Sequence, residues 1–175
     1  MEFPQEYRYR GFEAEEELLG HKLDWENILQ ENKIPHEKHT RREWQEILEQ
    51  VYPEDPLMPT KKWGKDLYNF VAEKLGIDID DAESLKFYKT LGTDLDRMGI
   101  DCFFTFKNPK NQRETSFTID LTTKPKKDEY KANAVIQANE VPDYRKNLEK
   151  YIDHMEKLAE LIAEELKNKT EFKIH

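Results

Sequence analysis

The sequence predicts an α/β fold: a mixed, largely antiparallel central sheet flanked by helices, with a small helical insertion. Three observations predict it. Apolar residues recur at helical spacing before Gly76 and again after Pro142. Between those regions, Ile100–Phe106 and Ser116–Thr123 are rich in β-branched and aromatic residues and flank the turn-like Lys107–Glu114. Finally, Phe 9, Tyr 8 and Trp 3 are too many aromatics for a disordered chain, despite 37% charged residues and a mean hydropathy of -0.98.

Along the chain, residues 12–31 read as helical, with Leu18, Leu19, Leu23, Ile28 and Leu29 near one face and a break at Gly20. Ile34–His39 reads as a short edge strand, because Pro35 suits an edge better than a helix. Thr40-Arg41-Arg42-Glu43 is a capping-box pattern and opens a helix whose Trp44, Ile47, Leu48 and Val51 point inward. The proline-rich Tyr52–Pro59 ends it. Lys61–Leu75 forms the next helix, with Trp63, Leu67, Phe70 and Val71 on one face and Gly76 as its C-cap. Ala82–Leu91 fits helix and strand equally. After the hairpin, Lys131–Ala138 fits another strand, and Pro142 leads into a long helix. Its stripe, Tyr144, Leu148, Tyr151, Met155, Leu158, Ile162 and Leu166, suits docking on the sheet, with a dimer seam as the lesser alternative.

Bulk properties narrow the function classes. No apolar run approaches the ~20 residues that span a bilayer, and the opening MEFPQEYRYR has no apolar stretch of signal-peptide type. A cytoplasmic protein without a membrane partner is expected. The single Cys102 excludes an intramolecular disulfide and an all-cysteine metal site. A net charge of -9 argues against a general nucleic-acid coat protein, though not against a local basic groove. From Lys107 to Lys131, seven basic residues (with Lys110, Arg113, Lys124, Lys126 and Lys127) outweigh four acidic ones.

The hairpin carries the candidate chemistry. Alternation puts Ile100, Cys102, Phe104 and Phe106 on one face with Phe117, Ile119 and Leu121 of the partner strand. Asp101, Phe103 and Thr105 then share the other face with Thr118, Asp120, Thr122 and Lys124. Folding the hairpin about its turn sets Asp101 nearly opposite Asp120 or Leu121, where cross-strand Cβ atoms lie about 5 Å apart. Two carboxylates at that separation repel unless a cation lies between them, and hard divalent ions accept such ligands.

The run Gly92-Thr93-Asp94-Leu95-Asp96-Arg97-Met98-Gly99-Ile100-Asp101-Cys102-Phe103-Phe104, followed by Phe117-Thr118-Ile119-Asp120-Leu121-Thr122-Thr123-Lys124, resembles the catalytic core of the PD-(D/E)XK nuclease superfamily. The resemblance implies one nuclease-like domain over residues 1–175, with residues 40–90 inserted. It implies Asp101 and Asp120 as ligands of Mg²⁺ or Mn²⁺, with the Leu121 carbonyl as a third. The family's lysine position holds Thr122, so Lys124, two residues further on the same face, is the candidate catalytic lysine. The family's helix glutamate corresponds to Glu13, Glu16 or Glu17, while Asp94 and Asp96 read first as turn or cap residues. Thr122, Lys107, Lys110, Lys126 and Lys127 are the candidate substrate contacts. The implied activity is metal-dependent phosphodiester hydrolysis by an endonuclease on nucleic acid, DNA favoured over RNA. A catalytically inactive nucleic-acid or protein-binding module is the alternative. A monomer is favoured, with a homodimer through residues 144–166 as the other arrangement.

Overall fold

The computed structural model describes residues 13–35, 37–124 and 131–171. Residues 13–19 form helix α1, which ends at Gly20 (φ +90°). Helix α2 (Trp25–Glu31) follows, capped by the Asp24 side chain. The single helix expected over 12–31 is therefore two, and the break falls at Gly20. Left-handed backbone is open to glycine at little cost, so the turn there lets α1 and α2 lie against different layers.

Helix α3 (Arg41–Val51) opens with the capping box read from the sequence: the Thr40 hydroxyl accepts from Glu43 N–H, and the Glu43 carboxylate accepts from Thr40 N–H. Helix α4 (Lys62–Leu75) ends on Gly76 in the left-handed conformation. The segment before α3 is not the strand expected over Ile34–His39: Ile34 and the described residues 37–39 pair with no strand, and His36 lies outside the described residues. Ile34 instead closes the end of α2, donating its N–H to the Leu29 carbonyl at 2.9 Å.

Strands β1 (Leu85–Lys89), β2 (Cys102–Lys107), β3 (Glu114–Thr122) and β4 (Ala134–Gln137) make a four-stranded sheet in that order. The first three run antiparallel and β4 lies parallel to β3. Since β1 falls inside residues 40–90, that stretch is no purely helical insertion. It supplies two helices to the flanks and an edge strand to the sheet. Between β1 and β2 sits a one-turn helix α5 (Asp94–Arg97). The long helix α6 (Leu148–Thr170) closes the chain, its N-terminus capped by Asn147.

The sheet is covered on both sides. On one, α4 and α6 join Leu19 of α1 over Phe87, Phe104, Phe117 and Ile119, with Leu67, Val71, Met155 and Ile162 fully buried. On the other, Trp25, Leu29, Trp44, Leu48 and Leu95 from α2, α3 and α5 pack on Tyr88 and Phe103. Each such side chain withdrawn from water contributes about 1.5–3 kcal/mol before entropy is charged. The second core corrects the expected face of Ile100: Phe103 is fully buried there, and Ile100 belongs with it rather than with Cys102. The expected strand starts two residues late because the Asp101 backbone divides between neighbours. Its N–H donates to Ile119 O (2.8 Å) while its carbonyl accepts from Thr90 N–H (2.9 Å). A regular strand residue turns both groups to one side. Among the described residues no helix is long and apolar enough to cross a membrane.

Candidate metal centre

The site forms where β2 and β3 meet the turn after β1. The β2–β3 register pairs Cys102 with Ile119 and stops there; Asp101 precedes β2 and donates its N–H to the Ile119 carbonyl at 2.8 Å. Asp101 is 2% exposed. Its Oδ2 accepts from Leu121 N–H at 2.6 Å, which fixes the carboxylate beneath the end of β3. Leu121 thus enters the site as a backbone donor.

The turn Gly92–Gly99 brings a second carboxylate. Gly92 N–H donates to Asp96 Oδ2 (2.8 Å), and Trp44 Nε1 reaches from α3 to Asp94 Oδ2 (3.3 Å). Asp94 also pairs with Arg97 at 3.2 Å, so it serves the turn, as expected of a cap residue. Asp96 does more. Gly99, at φ +80°, returns the chain towards β2, and a methyl group at its Cα would stand 3.8 Å from Asp120 Oδ2.

A third carboxylate comes from α1. Glu15, Asp96 and Asp101 each offer an oxygen, and these atoms all lie within 4.8 Å of one another, a set that can hold a metal ion. The helix expected to supply a glutamate does supply one, but it is Glu15 rather than Glu13, Glu16 or Glu17. Glu13 and Glu17 line a groove along α1, and Glu16 faces His21 at 3.2 Å. Asp120 lies outside the trio yet close enough to act on it electrostatically.

Burial and crowding oppose ionisation here. The Glu15 carboxyl is pushed up to about 8, first by burial, then by Asp96 and Asp120, with Lys124 pulling the other way. Asp101 is held well above the usual carboxylate range by burial and by Glu15, with Asp120 and Asp96 adding to it; the Leu121 N–H works in the opposite direction. Negative charge that burial and neighbours both disfavour is neutralised by protons or by a cation.

The other expected residues scatter. Lys124 acts electrostatically on Glu15, and its backbone N–H donates to the Thr122 hydroxyl at 3.0 Å. Lys107 lies at the far end of β2, and Lys110 in the hairpin turn near Asn108 and Lys167. Six residue steps separate Asp101 from Lys107, or about 20 Å of strand, so Lys107 and Lys110 are not brought to the site. Lys126 and Lys127 lie outside the described residues. Trp44 and Trp63 are buried as their spacing implied, and Arg41 is engaged internally with Thr118 Oγ1 and the Lys131 carbonyl, each at 3.1 Å.

No family model, curated protein or solved structure matches this chain.

Proposed function

We propose that the chain is a metal-dependent phosphodiesterase acting on nucleic acid, similar in its working parts to the PD-(D/E)XK nucleases. The observation that carries this reading is the convergence of Glu15, Asp96 and Asp101 within 4.8 Å, beside Asp120 and Lys124. The donors fit a hard divalent cation such as Mg²⁺ or Mn²⁺, since all are carboxylate oxygens and their mutual repulsion calls for positive charge. Bound there, the ion would supply a water of lowered pKa and a counter-charge for a phosphoryl oxygen.

The chain's own residues supply the rest. Asp101, anchored by Leu121 N–H, and Glu15, carried on α1, hold the negative charge in place. Asp120 enlarges the acidic field from the facing strand. Lys124 offers the positive charge that can stabilise an attacking hydroxide or the charge developing on the phosphoryl group. The Leu121 carbonyl remains the further ligand that the resemblance suggests.

The test is cleavage of DNA and RNA with Mg²⁺ or Mn²⁺ present. Asp101→Asn and Asp120→Asn are expected to abolish turnover, and Lys124→Ala to reduce it severely. One observation favours a second reading, a non-catalytic binding module: Thr122 stands where the resembled family has its lysine. Metal binding by calorimetry with no cleavage of any substrate would select that module. Cleavage that survives both aspartate substitutions would overturn the metal-site reading.

A further inference from the structure

A groove of about 800 Å³ runs along α1. Glu13, Glu17 and Leu18 of α1 form one wall, and Thr123 enters from the end of β3. The start of α4 contributes Lys61, Lys62 and Trp63, and the segment before α6 contributes Tyr144, Arg145 and Lys146. Glu15 turns to the other carboxylates from one face of α1, while Glu13, Glu17 and Leu18 line the groove from another.

Three features make it fit for a phosphate chain. The N-terminus of the fourteen-residue α4 opens here on Lys61, which makes no side-chain cap, and its first turn holds no acidic residue. Free N–H groups and the positive end of a helix dipole attract anions. Trp63 is 3% exposed, and among the described residues neither its indole N–H nor the buried Thr123 hydroxyl has a hydrogen-bond partner. Buried polar groups without partners are costly, so an acceptor from a ligand would satisfy Trp63. Charge agrees in sign. Four cations line the groove against Glu13, Glu17 and Asp143, a small positive surplus on a chain of net charge -9. Lys62 also pairs with Asp66 (2.7 Å) and Arg145 with Asp143 (3.4 Å), which holds both cations in place while reducing their field.

The aromatic lining separates one nucleic-acid form from another. Tyr144 is 38% exposed and tilts against Tyr151 with ring centroids 5.8 Å apart. Lys62 Nζ stands 4.7 Å from the Tyr144 centroid. Aromatic rings beside backbone-tracking cations are what an unpaired strand uses, because its bases are free to stack. A duplex offers mainly phosphates and leaves such rings unused.

We propose that this groove holds a single strand of nucleic acid along α1, with a phosphate on the N-terminal turn of α4 between Lys61 and Arg145 and a base against Tyr144; the proposal rests on the phosphodiesterase reading for what then happens to the strand. Binding is measured by fluorescence anisotropy in EDTA, with a labelled single-stranded oligonucleotide and its duplex. The single strand is expected to bind more tightly, and more weakly as salt rises. Reversing charge with Lys61→Glu and Arg145→Glu together is expected to cost about tenfold or more and to flatten the salt slope. Tyr144→Ala is expected to cost about fivefold, and Tyr144→Trp to restore it. All three residues are exposed, and circular dichroism checks that the variants fold. Duplex preference, or affinity indifferent to these substitutions, overturns the groove. Cleavage that persists alongside such indifference would leave the phosphodiesterase standing without it. Groove-dependent single-strand binding with no cleavage under Mg²⁺ or Mn²⁺ would do the reverse.

Discussion

Asp101 is the most constrained side chain of the site, since it is buried, receives the Leu121 N–H, and faces two further carboxylates. Glu15 shares the same electrostatic problem, and its raised carboxyl pKa, about 8 against a usual 4.5, becomes a stability statement. A group that binds its proton more tightly in the folded state favours folding fully below its unfolded pKa, and loses that contribution as pH rises through the folded value. The metal-free protein is therefore expected to melt at progressively lower temperature between about pH 5 and pH 9. Mn²⁺ should restore most at the alkaline end. Glu15→Gln should flatten the profile and Asp101→Asn should raise the metal-free melting temperature while removing the Mn²⁺ response. Differential scanning calorimetry with and without Mn²⁺ checks this; a metal-free melting temperature that climbs across that window would contradict it. Asp101 was legible as a candidate because aspartate stands out beside an apolar hairpin, although strand alternation fails at Ile100 and the cluster takes Asp96 rather than Asp120. Glu15 was not. Four of the five residues from 13 to 17 are glutamates, and which one points at the sheet depends on how α1 docks.

At the scale of elements, local chemistry was readable where it is self-contained. The Thr40–Glu43 box satisfies its own donors, and Gly20 and Gly76 both adopt the positive φ that ends a helix. Segments whose state depends on neighbours were not readable. LKFYK suits helix or strand, and becomes β1 because β2 offers it an antiparallel partner through Leu85↔Phe106 to Lys89↔Cys102. Pro35 suits an edge strand by its missing N–H, yet the described residues around it belong to no strand. The Gly92–Gly99 turn shows the same dependence with a functional result. It reads as turn and cap residues, while the structure folds it over so that Asp96 joins Glu15 and Asp101. Gly99 holds that shape at φ +80°. Gly99→Ala has room for its methyl group, so the cost is backbone strain, about 1 kcal/mol. It should also weaken Mn²⁺ binding by displacing Asp96, an effect that urea denaturation and calorimetry separate. Destabilisation with unchanged metal affinity would remove Asp96 from the ligand set.

At the scale of the molecule, burial on both faces of the sheet was the feature least expected from alternation, although Cys102-Phe103-Phe104 carried a hint of it. Consecutive apolar residues in a strand mean two covered faces rather than one. The first core decides what α6 is for. Tyr151, Met155, Leu158, Ile162 and Leu166 of the stripe are buried with α4 and the sheet, whereas Tyr144 precedes the helix and Leu148 is exposed. The apolar residues that remain outside, Leu148, Ile152 and Leu161, give two neighbours one turn apart and a third more than two turns away. A coiled-coil seam needs paired apolar positions sustained over three or four heptads. The face able to form one is already occupied, and the free face is too sparse. A monomer is accordingly expected by light scattering at high protein concentration. Met155→Ala, which empties a fully buried position, should cost about 2–5 kcal/mol without changing the mass. Ile152→Asp on the free face should leave both mass and stability nearly unchanged. A concentration-dependent dimer dispersed by Ile152→Asp would show that the sparse face pairs after all, and that α6 serves assembly as well as the core.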